Sequence, residues 1–381
     1  MKTIPILAAA ISSFAAAAPA DVPCTQTDSF AVQMFSVLAT AQQGNIVFSP
    51  ASLEGVLHLL QQGARGSTAA ELNALPMGKR GIATTIQPIE ANALFIDDRL
   101  QPSHKISVNE ILYAPFGGDN EKAAAIINAW ASKNTKGLIT HILSKEDLSP
   151  NTRLVAANAI YLQAKWSYPF DPDSTVKNTR FTLADGTTTK VDLMFQREHL
   201  RYAEGDDWQA VMLFYEAQPG HKKDIAWVGF IGILPKGDAR EFARTLTPHK
   251  YQAIRSALAQ GYPQDTVVYL PRFDMDSGVF SLKPALEACG VSISFTPHAD
   301  YKGFADTELM LSDVLQRCRA KVDEDGTEAA AVTMAIAVEG CCAPQERPKP
   351  KRICFDRPFI WVITDLNSAA APYFMGLMEK P

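Results

Sequence analysis

Residues able to do covalent chemistry are few in this chain, and their spacing matches no familiar catalytic motif. The acidic pairs Asp97-Asp98 and Asp206-Asp207 place their carboxyl groups on adjacent residues, which do not face one another and are common in turns. The sequence contains no G-x-S-x-G, H-E-x-x-H, P-loop or dinucleotide-binding glycine motif, and its seven histidines are scattered. We therefore predict no catalytic residues and no cofactor, and we expect a protein that is not an enzyme.

The cysteines are the remaining reactive groups. They are Cys24, Cys289, Cys318, Cys341, Cys342 and Cys354. Their spacing lacks a C-x-x-C pair, so we predict no metal site. In an oxidising compartment they could form disulfide bonds, but the pairing does not follow from the sequence.

Composition and charge indicate an ordinary folded chain. Of the 381 residues, 47% are hydrophobic and 20% are charged, and the net charge is -5. Because nucleic-acid phosphates require an excess of Lys and Arg, we expect no nucleic-acid partner. Length alone would allow two domains of about 150 to 200 residues.

The first twenty residues have the pattern of an export signal. Lys2 precedes an apolar run over 4–18, and Ala18-Pro19-Ala20 is a small-x-small cleavage site. The run is too short to anchor the chain in a membrane. We expect cleavage after Ala20 and a secreted protein, extracellular or periplasmic. The alanine-rich run favours a bacterial type of signal.

Hydrophobic periodicity predicts helices in the first part of the chain and strands in the rest. Apolar residues at helical spacing predict helices within 50–62 and 119–143. Runs rich in Val, Ile, Leu, Ala and Tyr predict strands at 152–165, 224–234 and 266–271. This segregation predicts an α+β fold with a large sheet rather than alternating βαβ units.

Several segments, in order, are similar to the motifs of one family. They are NIVFSPASLEGVLHLLQQGARGST at 45–68, INAWASKNTKGLI at 127–139, TRLVAANAIYLQAKWSYPF at 152–170, VVYLPRFDMDSGVFSLKPALEACGV at 267–291, FDRPFIWVITD at 355–365, and FMG at 374–376 followed by Pro381. The chain thus resembles a serpin along almost its whole length. The resemblance implies one domain over 21–381, with three β-sheets surrounded by helices and an exposed reactive-centre loop at about 326–354.

The resemblance also implies a function. A serpin of the inhibitory kind is a suicide substrate of a serine or cysteine protease: the protease cleaves the loop, the loop inserts into the main sheet, and the acylated protease is trapped. We expect a monomer whose partner is the target protease. The rival is a non-inhibitory serpin that acts as a carrier or chaperone. The family's helix-rich insert is shortened here to 73–90, so a heparin-like cofactor has no support.

The segment Asp323 to Gly340 is similar to the serpin hinge and the loop that follows it. The hinge residues are Glu324, Gly326, Thr327, Ala329, Ala330 and Ala331. In a strand, alternate residues share a face, and one face here carries only small residues: Thr327, Ala329, Ala331, Thr333, Ala335 and Ala337. No proline interrupts 326–340, so the loop could become a central strand. A run of alanines also suits a helix, but a helix does not explain the alternation.

The position of the reactive bond stays open between two neighbours. Family spacing counted forward from Glu324 places it at Gly340-Cys341, whereas spacing counted back from Phe355 gives Cys341-Cys342. Either bond offers a small residue, which favours an elastase-like or subtilisin-like protease. The segment 343–352 has three prolines and four cations, and we expect a solvated loop there.

The loop cysteines support a second hypothesis. A disulfide bond from Cys341 or Cys342 to Cys354 would lie beyond the bait residue, so it would stiffen the loop without blocking insertion. A free pair would instead make inhibition sensitive to oxidation.

The resemblance assigns two further sites in the main sheet. Ser49, Ser52 and Asn158 belong to the shutter, the polar cluster beneath the strands that must separate, where Gln316 replaces the usual His. A Gln amide donates and accepts hydrogen bonds, so the cluster can persist while the pH sensitivity of a His is lost. Trp166 is assigned to the breach, at the top of the sheet.

Overall fold

The computed structural model describes residues 26–77, 88–100, 110–216, 228–327, 349–366, 368 and 370–381. The predicted signal segment, the hinge residues Ala329, Ala330 and Ala331, and the alternative reactive bonds among Gly340, Cys341 and Cys342 lie outside these residues.

The described helices and strands have the following bounds. The α-helices are α1 (Gln26–Ala41), α2 (Pro50–Gly63), α3 (Gly66–Asn73), α4 (Asn120–Asn134), α5 (Ala239–Arg244), α6 (Pro248–Gln260) and α7 (Lys283–Ala288). The first strands are β1 (Ile46–Phe48), β2 (Ile89–Asp97), β3 (Ile111–Ala114), β4 (Leu154–Tyr161), β5 (Ala164–Lys165), β6 (Val176–Thr182), β7 (Thr188–Glu204), β8 (Trp208–Phe214) and β9 (Val228–Pro235). The later strands are β10 (Gln264–Pro271), β11 (Phe273–Asp276), β12 (Phe280–Ser281), β13 (Asp313–Val322), β14 (Gly326–Thr327), β15 (Lys351–Cys354), β16 (Phe359–Asp365) and β17 (Phe374–Met378).

Three sheets organise the fold, which confirms the predicted α+β class. The main sheet has the order β11-β13-β4-β2-β3, and β12 also pairs with β13. The second sheet has the order β1-β17-β16-β9-β8-β7, and β7 continues into a third sheet with β6, β10 and β15. The long strand β7 joins these two sheets, because its residues 193–200 pair with β10 and its residues 201–204 pair with β8.

Helix α2 follows its prediction closely. Ser49 is the N-cap, and its hydroxyl accepts a hydrogen bond from the backbone N–H of Ser52. Pro50 occupies the first turn, where its missing N–H is not needed. The apolar face of the helix is buried, and this burial places Ser49 and Ser52 beneath the main sheet.

Helix α4 is shorter than the periodicity over 119–143 predicts. It ends at Asn134, after which Lys136 and Gly137 have φ values of 53° and 80°. The N–H of Gly137 bonds to the carbonyl of Ser132 at 2.7 Å, as in a Schellman termination. The apolar residues beyond Gly137 therefore belong to an irregular connection that leads to β4.

Candidate functional site

The strands β4 and β13 form an unusual seam in the middle of the main sheet. They are parallel neighbours, with Gln316 opposite Asn158, whereas the adjoining pairs β2–β4 and β11–β13 are antiparallel. A strand that entered between β4 and β13 in the opposite direction would pair antiparallel with both. The seam is therefore the position in the sheet where a parallel pair lies between two antiparallel ones.

The structure brings the four predicted shutter residues into one hydrogen-bonded cluster. Gln316 on β13 accepts from the Ser49 N–H at 3.0 Å through Oε1, and its Nε2 donates to the Ser49 carbonyl at 3.1 Å and to Asn158 Oδ1 at 2.8 Å. Asn158 Nδ2 donates to Ser52 Oγ. Gln316 thus links β13 to β4 and to the start of α2, and its role as part of a shutter stays a prediction.

Asn92 on β2 is a cluster member that the sequence analysis missed. It lies opposite Asn158 and accepts a hydrogen bond from Asn158 Nδ2. The signal for it was present, because an asparagine in the middle of an apolar strand needs a polar partner when it is buried.

Removing the Gln316 amide is expected to destabilise the seam. Gln316→Leu leaves the Ser49 N–H, the Ser49 carbonyl and Asn158 Oδ1 without this partner, at about 1–3 kcal/mol for each group left unpaired. We expect a lower denaturant midpoint. If the loop inserts as the resemblance to serpins implies, polymers should also form on mild heating, because a loosened seam would accept the loop of a second molecule. Denaturant titration and native gels measure the two effects.

A matched control for this prediction is Gln196→Leu. Gln196 is also a buried strand glutamine, but its Oε1 has no hydrogen-bond partner within the described residues. This control should be neutral or slightly stabilising. Equal losses of stability in both variants would show that the shutter hydrogen bonds contribute nothing specific.

Trp166 lies directly beside the turn that follows β13. Its indole N–H donates to the Asp323 carbonyl at 2.9 Å, and its backbone N–H donates to the Asp325 carbonyl at 3.0 Å. The indole stacks on the ring of Tyr215, with centroids 4.7 Å apart and an interplanar angle of 6°. Trp166 therefore holds the turn by both its backbone and its side chain, and its assignment to the breach stays a prediction.

The turn reverses the chain, and two of the residues predicted for the hinge, Gly326 and Thr327, lie in a strand. The Asp323 N–H donates to the Gly326 carbonyl at 2.9 Å, which closes the turn. Gly326 and Thr327 then form β14, antiparallel to β5. Gly326 has φ 154°, and a Cβ there would clash with the Ala164 carbonyl, so this position requires glycine. Thr327 is completely buried, with its hydroxyl 2.8 Å from the Tyr215 hydroxyl.

Glu324 anchors the turn through a buried carboxylate. Its Oε1 accepts hydrogen bonds from Arg272 Nε at 2.7 Å and from the Thr175 hydroxyl at 2.5 Å. Burial acts to raise the pKa of Glu324, but the hydrogen bonds from Arg272 and Thr175 outweigh it, so the pKa lies below its ordinary value. The sequence identified Glu324 through the family motif, but it gave no indication of Arg272 or Thr175 as partners.

The Glu324 anchor should weaken in acid. Since the pKa is lower in the folded protein than in the unfolded chain, the carboxylate stabilises the fold above the ordinary pKa of about 4.3 and loses this effect as the pH falls through the lowered value. We expect the difference in Tm between the wild type and Glu324→Gln to shrink from about pH 5 to about pH 3. Arg272→Met should behave in the same way. A difference in Tm that does not depend on pH would contradict this assignment.

Asp97 and the cysteines are among the other potentially reactive residues that the structure describes. Asp97 is buried, and its carboxylate forms an ion pair with Arg99, whose Nη2 lies 2.6 Å away. Burial raises the pKa of both the Cys289 and the Cys354 thiol to about 11. No disulfide bond joins any two of the described cysteines.

Across the described ranges there is no group of three His, Cys, Asp or Glu side chains that could hold a metal ion. None of the described helices has both the length and the hydropathy needed to cross a bilayer.

Comparison with known proteins identifies the family. The family model described as "Serpin (serine protease inhibitor)" matches residues 25–87 and 89–381. The chain is 31% identical to a serpin-like protein of Thermococcus kodakarensis, over 93% of this chain and 84% of that one. This chain belongs to the serpin family.

Solved structures agree with this assignment. Serine protease inhibitor (serpin)-12 of Manduca sexta superposes with a TM-score of 0.77 at 26% identity, over 94% of this chain and 98% of that one. Human thyroxine-binding globulin, solved in complex with thyroxine, has a TM-score of 0.79 at 22% identity, over 94% and 98% of the two chains. The second likeness shows the fold alone. The fold is therefore common to a protein titled as a serine protease inhibitor and to a thyroxine-binding globulin.

Proposed function

We propose that the mature protein is a suicide-substrate inhibitor of serine or cysteine endopeptidases, and that its cleaved loop inserts between β4 and β13. The observation that carries the proposal is β14, where the chain has already reversed and begun to pair with β5. A loop that continued on this path would run antiparallel to both β4 and β13. Insertion would replace one parallel pairing by two antiparallel pairings, which are slightly more stable per residue.

The register of β14 supports insertion along the seam. Thr327 lies opposite Ala164, and each further step along the loop would match one step back along the chain toward β4. Continued without a bulge, this register would set Thr333 opposite Asn158 in the shutter. The small residues at alternate positions of the loop would then all lie on one face of the sheet, next to β4.

The orientation of Thr327 indicates which face that is. Thr327 points toward Tyr215 in the buried core behind the sheet, so Ala329, Ala331 and Thr333 would point the same way. Small side chains on the buried face avoid the overpacking that costs about 1–3 kcal/mol at each crowded site. A carrier needs no such series of small residues, so the series favours the inhibitory function.

The sequence supports a proposal for the target and for the location. The small residue at either alternative bond favours elastase-like or subtilisin-like proteases. The export pattern at residues 1–20 supports secretion, which would bring the inhibitor into contact with such enzymes. We propose that it acts as a monomer on one protease at a time.

The deciding experiment is to mix the mature protein with one protease of each kind and to analyse the products on denaturing gels and by mass spectrometry. We expect a covalent complex that survives denaturation and a released peptide that begins at Cys341 or Cys342. Clean cleavage by both proteases, with no complex and no gain in thermal stability of the cleaved protein, would overturn the proposal. A gain in stability without a complex would indicate a different target class.

A further inference from the structure

The connection between α4 and β4 covers the seam on the face opposite the shutter. Helix α4 packs on β2 and β3, and the buried residues Ile142 and Leu143 of the connection belong to the same apolar cluster as Ala157 on β4 and Leu315 on β13. The connection thus shares one apolar cluster with both strands that an entering loop would separate.

Arg317 ties this connection to β13. Its guanidinium binds Asp276 on β11 through two parallel hydrogen bonds of 3.0 and 2.6 Å. The remaining nitrogen, Nη1, donates to the backbone carbonyl of His141 in the connection at 2.5 Å. The two hydrogen bonds to Asp276 fix the plane of the guanidinium. The third hydrogen bond, to the His141 carbonyl, therefore forms without a further loss of side-chain conformational entropy.

Asn128 holds the same stretch of chain to the helix. Its Oδ1 accepts from the N–H groups of Ile142 and Leu143 at 2.7 and 3.1 Å, and its Nδ2 donates to the Leu143 carbonyl at 2.8 Å. The connection is therefore fastened to α4 by Asn128 on one side of the seam and to β13 by Arg317 on the other.

We propose that Arg317 is a clasp that resists opening of the seam, and that it sets the rate at which the reactive-centre loop inserts. The inference rests on the proposed function and adds a residue that regulates it. An inserted strand would move β13 away from β4 by about one strand spacing of 4.8 Å. A hydrogen bond cannot span that displacement. If Asn128 keeps the connection on α4, the Arg317–His141 bond must break before the strand can enter.

Arg319 provides a matched control. It lies two residues further along the same face of β13 and binds Asp274 through the same two-bond geometry, at 2.9 and 2.6 Å. Among the described contacts, Arg319 makes no hydrogen bond to the α4–β4 connection. Arg317→Met and Arg319→Met each leave one aspartate without its arginine, but only Arg317→Met releases the connection.

The test uses a synthetic peptide with the sequence of residues 328–339, which should occupy the seam as the loop would. Uptake by the full-length protein is followed by native gel and by the rise in Tm. We expect Arg317→Met to take up the peptide about tenfold faster than the wild type, the effect of losing one charge-assisted hydrogen bond. Arg319→Met should match the wild type. Equal rates for all three proteins, or equal acceleration in both variants, would overturn the clasp.

Hydrogen exchange separates failure of the clasp from failure of the proposed function. Exchange of the Ile142 and Leu143 amides should be faster in Arg317→Met and unchanged in Arg319→Met, whether or not any protease is inhibited. If no peptide enters the wild type and no covalent complex forms, the inhibitory function itself is wrong. If the wild type inhibits a protease but exchange is the same in both variants, only the clasp is wrong.

Discussion

Thr327→Arg is expected to abolish covalent complex formation and to leave a protein that its target protease simply cleaves. Thr327 is completely buried beside Tyr215, in the short strand β14 that contains the start of the predicted hinge. The side-chain partner of Thr327 is the neutral Tyr215 hydroxyl, and burying an unpaired charge costs several kcal/mol. Since Thr327 is already paired with Ala164 in β14, the charge would expel this first pair from the sheet before cleavage. Insertion would have to begin without it, so deacylation of the protease would overtake trapping. The fraction of inhibitor converted to complex on a denaturing gel measures the effect.

Thr327→Ser is the matched control. It keeps a hydroxyl within reach of Tyr215 and remains small, so it should form complexes almost as efficiently as the wild type. Complex formation by Thr327→Arg at the wild-type level would show that the hinge does not enter the sheet at β14.

Asp28→Asn is expected to lower the free energy of unfolding by about 3–5 kcal/mol. Asp28 on α1 pairs with Arg255 on α6, and both side chains have no exposed surface. Arg255 also donates to the carbonyls of Asp365 and Ser368, at 3.0 and 3.2 Å. Neutralising Asp28 would leave a buried guanidinium without its counterion. Denaturant titration of the intact native protein measures the loss.

Two further variants make this test specific. Arg197→Met removes an exposed pair with Asp265, for which about 1 kcal/mol or less is expected. The double variant Asp28→Leu with Arg255→Met removes both buried charges and should recover part of the stability lost in Asp28→Asn. If Asp28→Asn behaves like Arg197→Met, the pair does not hold α1 in place.

Local patterns in the sequence were sufficient for much of the fold. Helix α2 could be predicted because its cap, its first-turn proline and its apolar spacing agree with one another. The end of α4 could not, because Lys136 adopts a left-handed conformation that few residues other than glycine, Asn and Asp favour. The resemblance to serpins supplied the hinge and shutter residues, which no periodicity would have identified.

Contacts between distant parts of the chain could not be predicted from the sequence. The parallel pairing of β4 with β13 joins residues about 158 positions apart, as Gln316 and Asn158 are. Local propensity carries no information about which strands become neighbours at that distance. The same limit explains why Arg272 and Arg317 were missed: each is an ordinary surface-type residue until the fold brings Glu324 or His141 to it.

Under the proposed function, the turn at residues 323–326 has a consequence for the kinetics of trapping. Starting a new strand normally requires a reversal of the chain before any pairing is gained, and this makes nucleation slow. Here the reversal exists before the protease arrives, and the first two residues are already paired with β5. Cleavage would then only free the C-terminal end of a loop whose first residues are already paired. Insertion would proceed by adding one residue pair after another to the existing strand. The competition with deacylation would then be decided by the opening of the seam at Arg317 and by the speed of propagation, and no longer by nucleation.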